Sequence, residues 1–69
     1  MQHTPRPLRK ITCWETDLDN NPTNTPERIL LARSRRDALR HLQAGIGGAL
    51  SGDGLCLTIM ETKTRWFAV

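Results

Sequence analysis

One stretch of this chain has a helical period, and alternating stretches flank it on both sides. From Ser34 onward, Ala38, Leu39, Leu42 and Ile46 fall on one face of a helix, and Arg36, Arg40 and Gln43 fall on the opposite one. Ser34 supplies an N-cap hydroxyl and Asp37 an acid at the third helical position, so the helix opens there. Asp37 and His41 stand four apart and can pair on its flank. Gly45, Gly47 and Gly48 weaken a helix interior, which ends it near Gly45 with fraying as far as Leu50. With only 69 residues, the chain has room for one small core and no second domain.

Strand signals account for most of the remainder. Residues 8–17 hold the alternating run Ile11-Thr12-Cys13-Trp14-Glu15-Thr16, rich in β-branched and aromatic residues. Residues 18–26 concentrate Asn, Asp and Pro, which exclude helix and central strand and predict a long surface loop. Residues 27–33 contain Ile29-Leu30-Leu31-Ala32 and are read as a second strand, although Leu, Ala and Arg also favour helix. Residues 51–54 form a turn, 55–61 a third strand, Thr62-Lys63 a tight turn and 64–69 a fourth strand. Residues 1–7, with two prolines and no apolar period, read as a flexible arm. The expected fold is α+β: a four-stranded antiparallel sheet with one α-helix packed on one face, in ββαββ order.

Such a layout leaves one sheet face without a partner from this chain. Taking Ile11, Cys13, Leu55, Leu57, Ile59, Phe67 and Val69 as the helix-facing set places Trp14, Cys56, Thr58, Met60 and Trp66 on the open face, with arginine at the rim. Tryptophan, methionine and arginine are enriched in protein interfaces, and aromatics on open sheets also stack bases. The candidate partner-binding residues are therefore Trp14, Arg36, Arg40, Met60, Arg65 and Trp66. The two tryptophans would equally close a second small core beneath the 18–26 loop or against a dimer mate.

Ten Lys+Arg stand against seven Asp+Glu, a formal +3, and eight of the ten cations are arginine. The arginine fork suits phosphate and carboxylate, so nucleic acid or an acidic protein surface is the expected kind of partner. No apolar run reaches the length of a membrane span and the first residues lack a signal-peptide pattern, so a protein of the cytoplasm is expected.

Enzyme chemistry finds little footing. The Gly45–Leu50 stretch follows a helix instead of opening one and lacks the Lys-Ser/Thr of a phosphate loop. The metal-ligand candidates His3, Cys13, His41 and Cys56 are scattered, and the two cysteines form no C-x-x-C. Reduced thiols packing as small hydrophobes are expected. Glu15, Asp17 and Asp19 cluster at a strand end without a second wall around a substrate. No cofactor, no metal and no catalytic set are expected.

Residues 29–42, 55–61 and 63–69, in the order strand, Ser-capped Arg/Ala/Leu helix, strand, Trp-bearing C-terminal strand, resemble the small anti-CRISPR proteins of phages and mobile elements. The likeness is to inhibitors of type I systems built from a compact sheet and one helix. It implies a non-enzymatic inhibitor in the host bacterial cytoplasm that docks on a Cas protein complex and blocks nucleic-acid binding or nuclease recruitment. Several such inhibitors are acidic DNA mimics, whereas this chain is basic, which points to an acidic protein patch or to nucleic acid held by the complex. The alternative is a small basic nucleic-acid-binding protein using Arg–phosphate contacts and Trp stacking, as a monomer or homodimer.

Overall fold

The computed structural model describes residues 6–69. Most of the arm expected at 1–7 lies outside the described residues; Arg6 and Pro7 are exposed and belong to no element. The elements are β1 (Arg9–Asp17), β2 (Arg28–Ala32), α1 (Arg35–Ile46), β3 (Ala49–Leu50), β4 (Leu57–Ile59) and β5 (Thr64–Ala68). They form one antiparallel sheet in the order β2-β1-β5-β4-β3. The α+β class, the second strand and the helix covering one face agree with the sequence reading. The sheet has five strands, not four, and the order is ββαβββ.

The additional strand comes from the glycines after α1. Ser34 caps the start, its hydroxyl accepting the Asp37 N–H at 3.1 Å. At the other end Gly47 (φ 80) donates to Gln43 O at 2.8 Å, and Gly48 (φ 94) follows. Two successive left-handed residues reverse the chain onto the sheet edge, a path closed to most side chains. A Cβ on Gly48 would stand 2.7 Å from Thr58 O, so glycine also permits the close approach to β4. Two residues are too few to display alternation, and the expectation of a frayed helix up to Leu50 gives way to β3.

The third strand is also shorter than expected. Ser51 Oγ accepts the N–H groups of Leu55 and Cys56, each at 3.2 Å, which holds both in the turn, so β4 begins only at Leu57. Leu55 is consequently 46% exposed instead of facing the helix. Met60 falls in the turn that leads to β5, where Lys63 (φ 56) donates to Met60 O.

Ala38, Leu39 and Leu42 of α1 pack on Ile11, Cys13, Ala32, Leu57, Trp66 and Ala68 of the sheet, with Leu30, Leu50 and Ile59 at the margin. Ile46, expected on this face, ends the helix 41% exposed, beside Gly48, Ala49 and Met60. Antiparallel partners share a face, so the register fixes which side each residue takes. Leu50 lies opposite Leu57, Leu57 opposite Trp66, and Cys13 opposite Ala68, all against the helix.

That register corrects the face assignment of the last strand. Trp66 is 4% exposed in the core, whereas Arg65, Phe67 and Val69 belong to the open face. Alternation separates 64–69 into two sets without saying which is inside. The set containing Arg65 is the costlier one to bury, because a guanidinium loses its hydration unless it is paired.

Candidate protein-docking face

Three strands build the open face in rows. Thr12 exchanges both backbone hydrogen bonds with Val69 at 3.0 and 2.9 Å and lies opposite Ile29 on its other side. One step along β1, Trp14 lies opposite Phe67, and their rings stack with centroids 6.0 Å apart and planes 24° from parallel. One step the other way, Lys10 lies opposite Leu31. Ile29, Leu31 and Val69 are 64%, 63% and 62% exposed. The helix sits on the other side of the sheet, so no segment among the described residues covers this apolar row.

The 18–26 loop supplies a wall beside it. The Asp17 carboxylate accepts the N–H groups of Asp19 and Asn21, each at 2.9 Å, and Asn20 takes a left-handed φ of 66. These bonds to the charged form, that from Asn21 foremost, hold the Asp17 carboxyl below the usual aspartate range. Pro22 then bridges Thr16, and Thr23 donates its N–H to Glu15 O at 3.3 Å, so the loop runs alongside β1. Both Thr23 and Thr25 hydroxyls donate to Glu15 Oε1 at 2.7 Å. The result is an open groove of about 610 Å³ lined by Thr12, Trp14, Thr23, Pro26, Glu27 and Val69. An aromatic floor beside a wall fixed by hydrogen bonds suits docking of a partner's side chain.

The six candidate residues do not form one patch. Trp14 stands on the open face as expected. Arg65 belongs to the same face, where its Nη1 donates to Leu18 O at 2.8 Å and Asn20 Oδ1 at 3.2 Å, making it a clamp on the loop. Trp66 is interior, and its indole N–H is buried with no acceptor among the described residues. Met60 is 66% exposed in the β4–β5 turn, away from the Trp14 groove. Arg36 and Arg40 are exposed on α1, in the layer opposite the open face. Arg36, though exposed, also has a structural contact, because its Nη2 donates to Asp53 O at 2.9 Å and ties the 51–54 turn to the helix.

Sequence reasoning missed Ile29, Leu31, Phe67 and Val69. Their signal was the company they keep: Arg65 shares a set with Phe67 and Val69, and Ile29 and Leu31 flank Leu30, which points inward opposite Ile11.

Elsewhere the polar side chains serve structure. Asp37 Oδ2 lies 3.7 Å from His41 Nε2, the expected flank pair, and accepts the Arg33 N–H at 2.9 Å. Cys13 and Cys56 are free thiols; burial pushes the Cys13 thiol up, with Arg28 drawing it part-way back. Among the described residues no three His, Cys, Asp or Glu side chains converge on a metal position, and no helix is long and apolar enough to cross a membrane.

No protein-family model, no curated protein and no solved structure matches this chain.

Proposed function

We propose that this protein is a non-enzymatic binding protein that acts by occupancy, docking its open sheet face on a partner protein. The observation that carries the reading is the row of exposed Ile29, Leu31 and Val69 beside the stacked Trp14–Phe67 pair, on a face the helix does not reach. Apolar and aromatic residues at the centre with polar groups at the margin are the anatomy of a protein interface. Lys10 and Arg65 at two margins favour carboxylates on the partner's rim, and Glu27 on the groove lip favours a basic group there. The likeness to type I anti-CRISPR proteins makes a Cas complex the partner to test, with nucleic-acid binding or nuclease recruitment as the step blocked. Base stacking on paired tryptophans, part of the nucleic-acid alternative, loses support from the burial of Trp66.

The test is phage plating on a bacterial host with an active type I CRISPR system. The wild-type chain should restore plating of a targeted phage. Ile29→Glu combined with Leu31→Glu should abolish that effect with an unchanged urea midpoint, since both side chains face solvent. A double variant that inhibits like wild type would show that this face is not the docking surface. A purified homodimer dissociated by the same substitutions would assign the face to self-association instead.

A further inference from the structure

The protein's charge excess is concentrated at one end. Arg6, Arg9, Arg33, Arg35 and Arg36 gather where the start of β1 meets the start of α1, with Asp37 and Asp53 as the carboxylates there. These five arginines exceed the two carboxylates by three, and Lys10, next to Arg9 in β1, adds a further cation at this end. The four cations elsewhere, Arg28, Arg40, Lys63 and Arg65, are more than matched by the carboxylates Glu15, Asp17, Asp19, Glu27 and Glu61. Residues 1–5 contain no carboxylate that would alter the balance. Arg6, Arg9, Arg35 and Arg36 line one open cleft of about 380 Å³, together with Ser34 and Asp53.

The guanidinium groups are held without being neutralised. Arg33 donates to Arg6 O and Arg36 to Asp53 O, both backbone acceptors that fix position without neutralising the guanidinium. The Asp53 carboxylate is occupied by the Ser51 hydroxyl and the Leu55 N–H, and that of Asp37 by the Arg33 N–H. Among the described residues no arginine lies within salt-bridge distance of a carboxylate, the one close acid–base contact being Asp37–His41, although Arg36 stands near enough to Asp53 to help the Ser51 hydroxyl hold its carboxyl below the usual aspartate range.

We propose that this cleft binds the phosphodiester backbone of nucleic acid, as a second surface distinct from the open sheet face. The cations lining the cleft are all arginine, whose planar fork takes two phosphate oxygens at once. Leu55 is the single apolar side chain in the lining, so the cleft lacks the apolar centre that a protein interface would need. Such contacts position a protein on nucleic acid without reading sequence.

The experiment is fluorescence anisotropy with labelled random-sequence oligonucleotides (duplex DNA, single-stranded DNA and duplex RNA), titrated with the full chain over a salt series. With about four phosphates engaged, log affinity for the duplex DNA should fall against log salt with a slope of about 3–4. Arg9→Glu combined with Arg35→Glu should weaken binding at least tenfold at low salt with an unchanged unfolding midpoint. Arg40→Glu combined with Lys63→Glu, the same change in net charge elsewhere, should stay within about threefold of wild type, and so should Trp14→Ala. Equal losses in the two charge-reversed variants would overturn the site, leaving only a net-charge effect. Poly-glutamate binding without binding to any oligonucleotide would overturn the ligand class in favour of an acidic protein. No binding to any of these probes at low salt would overturn the proposal outright.

Discussion

The two tryptophans should separate cleanly into one that holds the fold and one that holds a partner. Trp66 is 4% exposed and packed between strands and helix. Truncating a buried aromatic residue to alanine typically costs about 3–5 kcal/mol. The same truncation removes an indole N–H that is buried without an acceptor, a group whose burial costs about 1–3 kcal/mol. The net expectation for Trp66→Ala is a loss of about 2 kcal/mol. For 69 residues the whole stability is roughly 3–10 kcal/mol, so this is a large share of it. Trp14→Ala loses a stacked pair worth about 0.5–1.5 kcal/mol and a half-buried surface, and the core stays intact. Urea unfolding followed by far-ultraviolet circular dichroism is the assay, because each variant removes a fluorophore. Trp66→Ala should lower the midpoint clearly more than Trp14→Ala, and Trp14→Ala should be the variant that loses partner binding. Equal midpoint shifts, or a larger one for Trp14→Ala, would refute the assignment of faces.

Gly48→Ala should destabilise the fold by more than about 1 kcal/mol, read as a lowered urea midpoint, because it adds a Cβ at φ 94 against Thr58 O. The Asp17 and Asp53 carboxyls should titrate below the ordinary aspartate value of 3.8 in carboxyl-carbon NMR, through the Asn21 N–H and the Ser51 hydroxyl respectively. A folded pKa lowered in this way contributes stability above the unfolded value and loses it as pH falls through the folded one, so the 17–21 and 51–55 turns should loosen only in that acid range. The Cys13 thiol, buried and raised, should react with an aromatic disulfide reagent much more slowly in the native protein than in urea; equal rates would place it at the surface.

Local chemistry was enough to locate the helix start, the long loop, the first strand and most of the core. Ser34 caps because its hydroxyl reaches an N–H three residues on, and Leu39, Leu42 and Leu57 are buried because their periods leave few alternatives. The open face itself was also legible, since one helix cannot cover two sides of a sheet. Which residues stand on it was decided by pairing. The choice between Trp66 and Phe67 depends on Cys13 lying opposite Ala68, a contact between strands far apart in the chain, and on Leu57 lying opposite Trp66 across the β4–β5 turn. The strand Ala49–Leu50 exists only because β4 is there to receive it. Likewise the five arginines are spread over two stretches of sequence, and their gathering at one end required the fold to bring the start of β1 to the start of α1. Short-range periodicity determines which residues can share a face; the register between distant strands determines which face is buried, because one residue of slip exchanges the two.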